Sequence, residues 1–308
     1  MKIGIVTIYN VPNYGAILQA YSLAEYLRRE GHEVVLFNVD SPKRHPYIYK
    51  LKRLFKLGFI DKFQQRNYPA ITSNLNEEVD IYMVGSDQVW NIEITQADYD
   101  KYFLAFALHN RKVSYAASFG NNEWDFPSKR NEIRGFLSAF KYITVREEMG
   151  VNILKDEFNM KGNCVLDPCF LLDGNDFLFG KIIESKKILV SYKLSYDRFY
   201  DLELRKLGKM LGCKVNRLRY KYVSSLPNCK DLNVGYCDVE EWLYSIASAS
   251  YVVTDSFHGM VFSIIFNKPF VAIANKSRGL SRFTSLLRMF NMENRLIFTY
   301  NRDDIDRL

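Results

Sequence analysis

His258 lies in the run Thr254-Asp255-Ser256-Phe257-His258-Gly259, where a short β-rich stretch gives way to a helical pattern. Imidazole is the side chain whose ordinary pKa lets it both give and take a proton near neutrality. A solitary histidine is more often a satisfied structural group. This one stands at the carboxyl end of an expected strand, beside Ser256, the N–H groups of a helix start and a glycine that would permit close approach of a ligand. Gly85-Ser86-Asp87-Gln88-Val89-Trp90-Asn91 also follows an apolar run and combines planar polar groups with an aromatic face, the pairing that binds sugars. The same letters fit an Asx-type turn with Trp90 in the core. Arg146, in Thr144-Val145-Arg146-Glu147-Glu148, could offer a fork of donors to phosphate or carboxylate, or simply pair with Glu147 or Glu148. The loop from Asn10 to Gly15 opens a helix and could present backbone N–H groups to an anion or sugar. It lacks the further glycines of a dinucleotide fingerprint or a P-loop, and Gly15 by itself reads more readily as a permissive turn.

The elements that must position these residues alternate between two periods. Lys2 to Thr7 reads as a strand buried on both faces, Ala16 to Leu27 as a helix stopped by Gly31, and Glu33 to Val39 as the next strand. Further β-rich runs are expected at 79–84, 113–117, 142–145 and 164–166. After the turn cluster Asp173-Gly174-Asn175-Asp176 the alternation resumes, with strands at 188–192, 214–219, 251–254 and 270–273. Helices are expected at 197–211 and 259–266, with a capping-box-like start at Asp238 and Glu241. The pattern predicts an α/β fold of two Rossmann-like domains, 1–175 and 176–308, facing a central cleft. The last helix is expected to pack back on the first domain.

The 308 residues are 48% hydrophobic and 15% aromatic, which excludes a disordered or fibrous chain. Five scattered cysteines, an odd number, argue for free thiols and a reducing compartment. Four dispersed histidines lack zinc-ribbon spacing, and neither metal nor cofactor is expected. No export signal is visible, and no apolar run reaches the roughly eighteen residues of a spanning helix, so a cytoplasmic protein is expected. A formal charge of +7 and a pI near 9.0 imply attraction to anions. The stretch from Lys43 to Lys56 interleaves cations with apolar side chains. It reads as a solvated helix face, or alternatively as a surface for an anionic membrane.

Taken together, NVPNYGAILQAYSLAEYL, VGSDQVWN, SYAASFG, TVREEMG, VLDPCFLL and TDSFHGMVFSIIFNKPFVAI resemble, in order and over nearly the whole chain, the polysaccharide pyruvyl transferase family. The resemblance implies a fold similar to GT-B glycosyltransferases, phosphoenolpyruvate as donor, and a ketal-linked pyruvate on a sugar of a surface polysaccharide precursor, such as a capsule. The sugar acceptor would be lipid-linked or nucleotide-linked, and no nucleic-acid partner is implied. His258 becomes the candidate catalyst. Arg146, Ser256 and Gly259 are candidates for the donor. Asn13, Tyr14, Gly15, Ser86, Asp87, Gln88 and Trp90 are candidates for the acceptor. Family members more often carry an arginine between the serine and histidine of the last motif. Ser256-Phe257-His258 departs from that, which makes Lys193 and Arg278 substitutes to consider. A nucleotide-sugar glycosyltransferase of the same architecture and a non-catalytic binding module are the competing readings.

Overall fold

A computed structural model of the chain describes residues 1–11, 13–40, 61–108, 111–194, 198–219, 237–274 and 280–298. The stretch from Lys43 to Lys56, Arg278 and the terminal residues 299–308 lie outside them. Two compact units divide the chain, Met1–Leu172 and Asp173–Leu308.

In the first unit, β1 (Lys2–Val6) is buried from its second residue onward, as a central parallel strand must be. Helix α1 (Tyr14–Arg29) begins where the Asn13 carboxamide accepts from the N–H groups of Gly15 (2.9 Å) and Ala16 (3.4 Å). It ends before Gly31, whose φ of 81° is the left-handed turn that releases the chain into β2 (Glu33–Phe37). With β3 (Ala70–Thr72), β4 (Ile81–Val84), β5 (Lys112–Ser114) and β6 (Phe140–Tyr142) these strands form one sheet in the order β3-β2-β1-β4-β5-β6. Every pairing in it is parallel. The order reverses between β1 and β4, so the loops leaving those two strands line the crevice where open α/β sheets bind ligands. The expected strand at 142–145 is broken. β6 closes the large sheet at Tyr142, and β7 (Thr144–Val145) pairs instead with β8 (Asn163–Cys164). Helices α2 (Arg130–Ser138) and α3 (Glu148–Phe158) flank this end.

The second unit begins with a 3-10 turn, Gly174–Leu178, in which Asp173 and Asp176 form a reciprocal capping box. The turn cluster expected to separate the domains therefore belongs to the second unit, where Phe177 meets Phe262 edge-on at 4.9 Å. The strands β9 (Ile188–Lys193), β10 (Lys214–Arg219), β11 (Tyr251–Thr254), β12 (Phe270–Ile273) and β13 (Leu296–Ile297) pair in the order β10-β9-β11-β12-β13, again all parallel. Helices α4 (Arg198–Met210), α5 (Val239–Ala247), α6 (Phe257–Ile265) and α7 (Leu280–Met289) cover it. The core is tied by Trp242, set edge-on to Tyr192 and Phe262 at 5.1 and 5.4 Å. Asp238 precedes α5 without a side-chain cap bond, so the capping box expected there does not form. No described helix is long and apolar enough to cross a membrane.

Candidate functional site

In the second unit the candidate residues gather where β11 ends and α6 begins. The Thr254 hydroxyl donates to the Tyr192 carbonyl at 2.6 Å and accepts from Ser256 N–H at 3.0 Å. The Asp255 carboxylate accepts from Leu194 N–H at 2.6 Å, which ties this turn to the end of β9. Ser256 is the N-cap, its hydroxyl accepting from Gly259 N–H at 3.4 Å. The helix starts at Phe257, two residues earlier than expected, so His258 sits within the first turn rather than ahead of it. Its imidazole is buried, edge-on to the Phe257 ring at 5.2 Å. Gly259 serves packing: a Cβ there would fall on the Thr254 hydroxyl, and Tyr192 lies just beyond, so the absent side chain lets α6 press against β11. Lys193 ends β9 with its ammonium 4.1 Å from the Tyr200 ring centroid.

Sequence reasoning missed Arg282. It lies on α7, buried, its guanidinium 5.9 Å from the Phe257 ring centroid. The helical spacing of Leu280, Phe283, Leu286 and Leu287 could have placed α7, and with it this cation, beside the histidine's helix.

In the first unit the loop after β4 turns sharply. Asp87 has a φ of 69°, a left-handed conformation tolerated by aspartate because its carboxylate accepts locally, here from Gln88 N–H at 2.9 Å. The Gln88 carboxamide accepts from Asn91 Nδ2 at 3.2 Å, and both side chains crowd against Gly120. Trp90 is not a sugar platform. It is 1% exposed, stacked on Phe103 at 5.5 Å and tilted against Phe119 at 5.1 Å, with its indole N–H donating to the Tyr102 carbonyl at 3.2 Å. Its spacing fitted both readings, and the aromatic residues that enclose it come from distant segments. Ser86 is also buried, its hydroxyl donating to Asp167 Oδ2 at 3.0 Å. At the opening of α1, Asn13 is exposed, whereas Tyr14 and Gly15 are buried.

Arg146, almost wholly buried, lies among three carboxylates. Its Nη1 donates to Asp167 at 2.9 Å, while Asp87 and Glu147 stand 3.6 and 3.9 Å away. Burial alone would lower the guanidinium's pKa; Asp167, Asp87 and Glu147 outweigh it and hold the pKa above the ordinary value. Glu147 in turn accepts from the Ser118 hydroxyl at 2.7 Å. Burial, with Asp167 close by, pushes the Cys169 thiol well up. Cys164, Cys169, Cys213 and Cys237 are free thiols.

The chain matches the polysaccharide pyruvyl transferase family over residues 13–277. No curated protein registers as a sequence relative. Among solved structures, the MnaA–UDP complex of S. aureus superposes with a TM-score of 0.53 at 13% identity, over 99% of this chain and 86% of that one. The UDP-GlcNAc 2-epimerase of Methanocaldococcus jannaschii gives 0.48 at 12% identity, over 100% and 91%. The heptosyltransferase II of E. coli gives 0.43 at 11% identity, over 97% and 90%. The fold is thus a pair of Rossmann-like units of the kind found in GT-B glycosyltransferases, and the chain belongs to the polysaccharide pyruvyl transferase family.

Proposed function

We propose that this member of the polysaccharide pyruvyl transferase family moves the pyruvyl group of phosphoenolpyruvate onto two hydroxyls of a sugar in a surface polysaccharide precursor, with His258 as the proton donor and acceptor. The observation that carries the reading is the place of His258, buried in the first turn of a helix that opens directly from a strand end. The reaction puts a proton on the methylene carbon of the enol phosphate and lets one sugar hydroxyl attack the cationic carbon. Phosphate then leaves, and a second hydroxyl closes the ketal. A group that alternates between giving and taking a proton suits these steps.

The N–H groups at the start of α6, with Ser256 and Lys193 near by in sequence or sheet, are the second unit's candidates for the donor's anionic groups. Arg146, the first unit's candidate, is buried among Asp167, Asp87 and Glu147, whose combined charge outweighs its own, an arrangement that supports the ion-pair reading over donor binding. Asp87, Gln88 and Asn13 remain the candidates for acceptor hydroxyls, being polar and at the ends of β4 and at α1. The free thiols support a reducing, cytoplasmic setting. The basic stretch from Lys43 to Lys56 supports peripheral contact with an anionic inner membrane face, which a lipid-linked acceptor would require. Vesicle co-sedimentation across a salt series tests that contact, and binding that ignores lipid charge and salt would remove it.

The functional test is to incubate the protein with phosphoenolpyruvate and a panel of lipid-linked and nucleotide-linked sugars and to follow phosphate release. Release that depends on a sugar supports the proposal. Transfer from a nucleotide sugar, with phosphoenolpyruvate inert, would replace it with a glycosyltransferase.

A further inference from the structure

Two loops leave neighbouring strands on the carboxyl side of the first unit's sheet, and each carries a polar group that the fold does not use up. Tyr9 stands three residues beyond β1, on the loop beside the point where strand order reverses. The residue is 5% exposed, its ring tilted against Tyr68 at 5.8 Å and its backbone carbonyl receiving Gln64 Nε2 at 3.0 Å. Its hydroxyl has no hydrogen-bond partner among the described residues, so phenylalanine would fill the same space. Asp40 stands three residues beyond β2 and is exposed. Its Oδ1 accepts from the hydroxyl of buried Tyr102 at 2.9 Å, and no lysine or arginine among the described residues pairs with it. Lys101 Nζ, donating to the Val39 carbonyl at 3.0 Å, fastens the backbone just ahead of it. Burial, and then the charge of Asp40, raises the pKa of the Tyr9 phenol well above its usual value. Tyr9 therefore keeps its proton, and it lies close enough to Asp40 to feel the carboxylate.

We propose that Asp40 and Tyr9 form a subsite for hydroxyls of the acceptor sugar, the carboxylate accepting a hydroxyl proton and the phenol donating to a sugar oxygen. An ionised carboxylate only accepts and a protonated phenol can donate, so together they match hydroxyl groups, which both give and take. The unpaired negative charge of Asp40 repels the phosphate and carboxylate of phosphoenolpyruvate, which assigns the subsite to the acceptor and not to the donor. Tyr102 is the positioning residue. It is buried, its carbonyl is held by the Trp90 indole, and its hydroxyl fixes one carboxylate oxygen while leaving Oδ2 for the sugar.

The subsite rests on the proposed reaction for its ligand, and two measurements keep them apart. In steady-state kinetics with phosphoenolpyruvate and a sugar that supports phosphate release, Tyr9→Phe should raise the acceptor KM about threefold to tenfold. Asp40→Asn should raise it about tenfold or more, since a hydrogen bond to a charged group is the stronger one. The donor KM and the melting temperature should stay close to wild type in both. Tyr102→Phe should raise the acceptor KM less than Asp40→Asn and add little to it, because it acts through the same carboxylate. Calorimetric titration with nucleotide-linked hexoses and their monodeoxy analogues, without phosphoenolpyruvate, repeats the comparison independently of turnover. An analogue lacking the bound hydroxyl should bind wild type and both variants alike. A wild type that releases no phosphate, yet binds a hexose in a way that depends on Tyr9 and Asp40, would sink the reaction and keep the subsite. A wild type that releases phosphate, with both variants keeping its acceptor KM, overturns the subsite and keeps the reaction. So does an acceptor KM that rises only together with the donor KM and with lost stability.

Discussion

Gly259 lies so close to Thr254 that a methyl group on its α-carbon would fall on the threonine hydroxyl, which is itself bonded to the Tyr192 carbonyl. The neighbour of His258 thus sets how near the histidine's helix comes to its strand. Gly259→Ala should cost about 1–3 kcal/mol through overpacking and should also displace the imidazole. Thermal unfolding and turnover measured together check this. Unchanged stability would show that the helix can move away from β11 freely.

His258→Gln should reduce turnover on the order of a hundredfold or more, the usual contribution of a placed proton-transfer group, while the melting temperature changes little. A folded variant with wild-type turnover would return His258 to a structural role.

Because Trp90 is packed among Phe103, Phe119 and Phe140, Trp90→Ala should destabilise the chain by about 3–5 kcal/mol. Trp90→Phe should keep the acceptor KM. Denaturant unfolding and acceptor kinetics separate the two effects. A raised acceptor KM in a fully stable Trp90→Phe variant would restore the sugar-platform reading.

Cys169 gives the chain an alkaline sensitivity. Its thiol has a higher pKa folded than unfolded, so it keeps its proton longer in the native state. The stability it contributes is complete below the unfolded value of about 8.5 and declines as pH rises beyond it, by at most about 1.4 kcal/mol per pH unit. Between pH 7.5 and 10 the melting temperature of the wild type should fall more steeply than that of Cys169→Ala. Parallel curves would mean that the thiol ionises as freely folded as unfolded.

Much of the architecture was legible locally. The runs at 214–219, 251–254 and 270–273 are strands with those bounds, because a short apolar run between polar turns has few other uses. Asn13 and Ser256 stand at helix starts for a reason that is equally local, a side-chain oxygen within reach of N–H groups two or three residues on. The histidine at a strand end could be read for the same reason.

What the sequence could not decide was which partner each polar or aromatic group would meet. Trp90 and Ser86 carry the residue types of a sugar site, yet one is enclosed by Phe103, Phe119 and Phe140 and the other is bonded to Asp167, 81 positions away. Asp238 has a capping-box spacing and forms no cap bond, while Asp173 and Asp176, read as a bare turn, form one. The sequence by itself determined the two α/β units and the strand-end loops, since these depend on periodicity and on contacts within a few residues, and its ordered motifs carried the resemblance to the family. Only the tertiary structure decided that Arg146 is surrounded by three carboxylates and held through Asp167, because that arrangement joins β4, β7 and the turn after β8, and the burial that strengthens its ion pairs exists only once those segments close over it.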